Sequence, residues 1–208
     1  MSISPTIVYV VGDDPDVGSG LEKLIREAGF QLQSFKAGQA FLDAYPKLSP
    51  GCLFVSLAMP IMGGLELLDR LRAAGCTWPT VIVTARASAP AAANAMRAGA
   101  FAVLEKPLRE LEVLAAVSGA QAHLKHEAEL QYDEEIAKRI QRLSPREHQV
   151  YDQILEGLLN KQIAAQLGIG ETTVKSTRRA LMQRMQASSY VELVVMAIRG
   201  GMTIKNRS

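Results

Sequence analysis

A chain of 208 residues has room for one large or two small domains. With 48% hydrophobic and 5% aromatic residues it can build real cores, which excludes a disordered or low-complexity polymer. The net charge of +2 excludes a polyelectrolyte, but the excess is local. Lys and Arg number 10 against 11 Asp and Glu in residues 1–120, 4 against 5 in 121–143, and 9 against 5 in 144–208. An anionic partner such as a phosphate backbone would therefore be met by the last third.

From the N-terminus, residues 6–120 alternate short apolar runs with helical patterns. TIVYVV (6–11) predicts a first strand, closed by the turn GDDPD. Asp16 is placed to cap a helix through Leu21, Leu24, Ile25 and Ala28 that stops at Gly29. QLQSF (31–35) predicts a second strand and 38–44 a short helix. CLFVSL (52–57) predicts a third strand, then a loop over 59–64 and a helix carrying Leu65, Leu68 and Leu71. TVIVT (80–84) predicts the fourth, followed by an alanine-rich helix over about 91–98. FAVLE (101–105) predicts the fifth, ending at Lys106-Pro107 before a last helix.

Val/Ile/Leu runs separated by helices indicate a parallel sheet covered on both faces, a doubly wound domain whose ligands sit at the carboxyl ends of its strands. Asp13 follows the first strand, Ser56 closes the third, Thr84 ends the fourth and Lys106 the fifth. Cys52 and Cys76 stand in apolar surroundings without metal-ligand spacing, as buried free thiols of a reducing compartment would. The chain does not open on a basic segment with an apolar core, and the uncharged run over 51–65 is broken by Pro60, Gly63 and Gly64. Neither a signal peptide nor a membrane span is expected, and the expected location is the cytoplasm.

Residues 121–142 hold no Gly or Pro and are rich in Ala, Glu, Lys and Gln, which predicts a helix continuing the one before it. No heptad is sustained there, so a strong coiled coil is not expected. His123 and His126 stand three apart without a third ligand and are read as surface residues. Ser144, Pro145 and Glu147 then have the order of an N-cap, N1 and N3, the start of a new helix and a domain boundary.

Residues 160–186 read as two helices joined by a tight turn. Ile163, Ala164 and Leu167 form an apolar stripe, Gly168 ends the first helix, and Glu171 opens the second at the positive end of its dipole. At about 100° per residue, Val174, Leu181 and Met185 share one side. Thr172, Lys175, Ser176, Arg179 and Gln183 take the other, no carboxylate follows Glu171, and Arg178 and Arg184 add charge. This is the helix-turn-helix arrangement, whose second helix lies in the DNA major groove. A solvated helix of a small bundle would share the charge pattern alone. The last helix, 190–199, carries Val191, Val194, Val195 and Ile198, more than one face would bury, and is expected to form a dimer contact.

The run 143–198, with LSPRE, EGLLNKQIAAQLGI and ETTVK, closely resembles the four-helix LuxR-type output domain of bacterial response regulators. The resemblance implies that Lys175, Ser176 and Arg179 face base edges, the same residues that the helical wheel sets apart. Lys161, Thr172, Thr177 and Arg178 complete the expected DNA-binding set, with Thr177 standing where the family usually has His.

The segments VVGDDPDV, FVSLAMPIMGGLELL, VIVTA and AFAVLEKPL resemble a FixJ-type receiver domain over about 6–120. Such a domain holds two adjacent carboxylates after the first strand and one after the third around Mg²⁺, a cation that demands oxygen ligands, and the third-strand Asp attacks a phosphodonor. Carried through SLAMP and EKP, the resemblance puts Gly12 at the first carboxylate, Asp13 at the second and Ser56 at the phosphoacceptor. Thr84 and Lys106 match the phosphoryl-contacting hydroxyl and ammonium, Val103 occupies the aromatic switch position, and Asp14 lies next in the loop. The Lys106-Pro107 bond is usually cis in such domains. A serine hydroxyl brings no charge to Mg²⁺ and is a poor nucleophile without a base. With two of three carboxylates replaced, the resemblance implies a pseudo-receiver that does not autophosphorylate.

The expected fold is thus α/β: a (βα)5 doubly wound receiver-like domain (1–120), a helical linker (121–142) and an all-α LuxR-type helix-turn-helix domain (143–208). Double-stranded DNA is the expected partner, bound by a homodimer, with RNA polymerase or another regulator as a protein partner and no membrane. Without a catalytic triad, metal cluster or Gly-rich phosphate loop, no enzyme, cofactor or metal is expected. Two alternatives stay open: phosphorylation control through an unconventional acceptor, Ser56 or Asp14, and action mainly through protein contacts of the receiver face.

Overall fold

The computed structural model describes residues 6–12, 20–86 and 88–202. Asp13, Asp14, the expected cap Asp16 and the end of the tail (203–208) lie outside the described residues. The chain forms two compact units, Met1–His126 and Glu127–Ser208.

In the first unit, strands β1 (Ile7–Val11), β2 (Gln31–Phe35), β3 (Gly51–Ser56), β4 (Thr80–Thr84) and β5 (Ala102–Glu105) form one parallel sheet in the order β2-β1-β3-β4-β5. Helices α1 (Glu22–Glu27), α2 (Gly38–Ala44), α3 (Gly64–Ala73), α4 (Ala89–Arg97) and the start of α5 (Glu110–Gln141) lie between and after them. Every residue of β3 and β4 is buried, because successive side chains enter opposite, equally apolar layers. Tyr9, Val11, Leu53, Val55 and Ile82 meet Phe41, Leu67, Leu68 and Trp78 on one face. Val8, Val10, Cys52, Phe54 and Val83 meet Leu21, Ile25, Val113 and Val117 on the other. Both cysteines are buried free thiols, and burial pushes Cys52 up to about 12, which leaves it unreactive.

Some boundaries differ from the sequence expectation. β3 spans Gly51–Ser56, one residue earlier, since its pairing with β1 begins at Gly51 opposite Ile7. α4 starts at Ala89, because Ser88 caps it by accepting from the Ala91 N–H and Pro90 occupies its first turn. β5 starts at Ala102, and the Phe101 N–H donates to the Thr80 carbonyl. Between β3 and α3, Ile61 is fully exposed with φ at 69°, a left-handed backbone that a β-branched side chain rarely adopts.

The second unit joins the end of α5 to α6 (Pro145–Leu155), α7 (Asn160–Leu167), α8 (Glu171–Met185) and α9 (Tyr190–Arg199). Ile136 and Ile140 of α5 are buried with Val150, Ile154, Ile163, Val174, Leu181, Met185 and Leu193. The stretch expected only to link the domains therefore supplies part of this core. Asp133 Oδ1 also accepts from Arg199 Nε at 2.6 Å, and Arg139 donates to the Met185 carbonyl at 3.0 Å. Ser144 caps α6 in a reciprocal box with Glu147. Among the described residues, no helix is long and apolar enough to cross a membrane.

Candidate nucleic-acid interface and strand-end pocket

The turn between α7 and α8 has the geometry that the glycine spacing requires. Gly168 takes φ 63° and ψ 36° at the end of α7, a conformation open to glycine without a Cβ penalty, and Glu171 is the first residue of α8. Val174, Leu181 and Met185 are fully buried, which fixes the rotation of α8 about its axis. Thr172, Lys175, Ser176 and Arg179 are consequently exposed along the opposite side. Ser176 Oγ and Thr177 Oγ1 each donate to the Thr173 carbonyl, at 2.9 and 2.8 Å. Their lone pairs are left as acceptors. Lys161 is exposed in the first turn of α7.

Arg178 is placed differently from its neighbours. It is half-buried, its Nη1 donates to Asn160 Oδ1 at 2.7 Å, and its guanidinium carbon lies 4.4 Å from the centroid of the Tyr190 ring. Sequence periodicity missed these partners, which come from the first residues of α7 and α9. At the far end of α8, Arg184 Nε meets Glu147 Oε1 at 2.9 Å, joining this helix to the start of α6. On α9, Val191, Val195 and Ile198 are 74%, 46% and 59% exposed and Val194 is half-buried, while Leu193, Met196 and Ala197 face inward.

In the first unit, Gly12, Ser56, Thr84 and Lys106 gather at the carboxyl ends of the strands. Ser56 is buried and its Oγ donates to the Ala58 carbonyl at 3.1 Å. Thr84 is buried as well, donating to the Arg86 carbonyl at 3.2 Å and accepting from the Arg86 N–H at 3.3 Å. A Cβ added at Gly12 would stand 3.0 Å from Ser56 Cβ, so the ends of β1 and β3 approach closely here. Lys106 is half-buried and its bond to Pro107 is cis. Val103 is half-buried on β5 opposite Ile82. The described part of the pocket offers a glycine and two hydroxyls, a poor fit to a hard divalent cation that needs anionic oxygens.

Residues 8–118 match the model of the response regulator receiver domain, and residues 141–197 that of the bacterial regulatory proteins of the luxR family. The chain is 40% identical over 199 residues to the transcriptional regulatory protein FixJ of Bradyrhizobium diazoefficiens, covering 94% of this chain and 96% of that protein. Among solved structures, the response regulator StyR is similar with a TM-score of 0.70 at 36% identity, covering 94% of this chain and 100% of that one. Full-length FixJ from B. japonicum gives 0.58 at 38% identity, covering 97% and 100%.

Proposed function

The chain belongs to the FixJ-like transcriptional response regulators, which join a receiver domain to a LuxR-family output domain, and we propose that it binds specific DNA under a receiver that works without aspartyl phosphorylation. As a member of that family it is a DNA-binding regulator and not an enzyme. On the output side, the reading is supported by a helix-turn-helix whose second helix exposes Thr172, Lys175, Ser176 and Arg179 with its apolar back fully buried. Among the described residues, neither Lys175 nor Arg179 is paired with a carboxylate, so both charges are available to base edges or phosphates. Lys161, exposed in the first turn of α7, and Thr177 on α8 complete the proposed DNA-binding set.

The observation that carries the receiver half is Ser56. It stands at the end of β3 where the family's acceptor carboxylate belongs, buried, with its hydroxyl proton directed to the Ala58 carbonyl. Such a hydroxyl has neither the charge to recruit a metal nor a base among the described residues to activate it. Gly12 brings no carboxylate, and Thr84 and Lys106 then serve as scaffold. DNA would be bound by a homodimer through Val191, Val194, Val195 and Ile198, since one small helical module binds weakly and a second raises affinity through effective concentration. The domain assignment that goes with this is 1–120, 121–142 and 143–208.

Three experiments test it. Selection of bound duplexes from random DNA should return a preferred sequence with two half-sites; no preference would sink the output half. Incubation with Mg²⁺ and acetyl phosphate, followed by intact mass, should give no phosphoryl adduct, and Mg²⁺ with beryllofluoride should leave DNA affinity unchanged. A stable adduct at neutral pH would sink the receiver half.

A further inference from the structure

Arg178 lies within the cationic stretch of α8, between Lys175 on one side and Arg179 and Arg184 on the other, yet its guanidinium is turned into the domain. One edge bonds Asn160 Oδ1, the first residue of α7, and one face lies over Tyr190, the first residue of α9. Its Nε is buried and has no hydrogen-bond partner among the described residues. Both partners are neutral, so the cation is held by shape: a planar group donates along its edge while its face stacks on a ring, a fixed geometry that the compact, strongly hydrated ammonium of lysine does not reproduce. From the middle of α8, a single side chain thus ties together the starts of the two helices that flank it.

We infer that Arg178 is a positioning residue for DNA recognition, setting α8 against α7 and α9 so that Lys175, Ser176 and Arg179 meet the groove together. It rests on the reading of α8 as the recognition helix. Tyr190 also opens the helix that exposes Val191, Val195 and Ile198. Arg178 therefore passes the placement of α9 to the groove-reading face, and a second copy bound on α9 would bias the same element.

The test uses the full chain, the duplex selected by the wild type and a scrambled duplex, with affinity measured over a range of salt at a temperature where circular dichroism shows each variant folded. Arg178→Gln, Arg178→Lys and Tyr190→Ala should each weaken selected-site binding about tenfold. They should leave scrambled-duplex affinity and the slope of log K against log salt unchanged. Tyr190→Phe should bind as the wild type, since the ring suffices, and Arg178→Gln combined with Tyr190→Ala should be no weaker than either alone. A direct phosphate contact would instead lower the slope by about 0.9 in Arg178→Gln, weaken both duplexes alike and spare Arg178→Lys; that result overturns the inference. So does selected-site binding at wild-type strength in both Arg178→Lys and Tyr190→Ala, which would leave only a structural role. Loss of the recognition reading itself is told apart, because the wild type would then prefer no sequence before any substitution is made.

Discussion

Glu147→Ala should destabilise the output domain by about 2–3 kcal/mol. The carboxylate is buried in the first turn of α6; Oε2 accepts from the Ser144 N–H and Oγ–H, each at 2.8 Å, and Oε1 meets Arg184 Nε at 2.9 Å. The N-cap itself survives, since Ser144 Oγ still accepts from the residue-147 N–H, and the loss is that of hydrogen bonds to a charged acceptor, which contribute roughly 1.5–3 kcal/mol. The Arg184 side chain is 57% exposed, so its ion pair adds about 0.5 kcal/mol or less. Urea unfolding followed by far-UV circular dichroism measures the loss, and the single Trp78, buried in the first core, follows the other unit by fluorescence.

The pH dependence has a definite sign. Burial alone pushes the Glu147 carboxyl up and is the largest single influence, but the two Ser144 bonds and the charges of Arg184 and His148 outweigh it, leaving the group below the ordinary carboxylate range. The native state therefore holds this proton less tightly than the unfolded chain. Its contribution is whole above the unfolded value of about 4.3 and fades as pH falls through the lower native value. The gap between wild type and Glu147→Ala should accordingly narrow in acid. A loss under about 1 kcal/mol at pH 7, or a gap that widens in acid, would refute the reasoning.

Arg179→Ala and Lys175→Ala should each weaken binding to the selected duplex by about 1–3 kcal/mol, read by fluorescence anisotropy. If either binds its own site as tightly as wild type, α8 is not the reading helix. Val195→Asp should abolish the two-copy complex on DNA in sedimentation or gel-shift assays; an intact dimeric complex would remove α9 from the interface. Ile61→Gly should stabilise the first unit by about 0.5–1 kcal/mol, because relief of a left-handed β-branched residue exceeds the entropy that glycine adds to the unfolded chain. A lower urea midpoint in that variant would contradict the strain.

The order of strands and helices was legible because each obeys one local rule. Val174, Leu181 and Met185 announce the buried side of α8 by spacing, and Ser144, Pro145 and Glu147 announce a helix start by chemistry that acts within one turn. Interactions between remote residues left no such mark. Glu147 and Arg184 pair across 37 positions, and Arg178 meets Asn160 and Tyr190 only once three helices have packed. The burial of Ile136 and Ile140 did have a signal, since they continue to Leu143 at i, i+4 and i+7, but alanine- and glutamate-rich surroundings read as a connecting rod. Ile61 runs against propensity, which argues for glycine or asparagine at positive φ.

The close approach of β1 and β3 at Gly12 bears on what these two strand ends can accommodate together. Any side chain introduced at position 12 starts with a carbon 3.0 Å from Ser56 Cβ, so the strand beneath must yield by a few tenths of an ångström before a new functional group finds room. An aspartate at 56 would add one anion and leave that crowding untouched, since serine and aspartate share the same Cβ. Fitting a carboxylate at both positions is therefore a two-step change whose difficult step is a backbone adjustment, and neither single substitution delivers the pair.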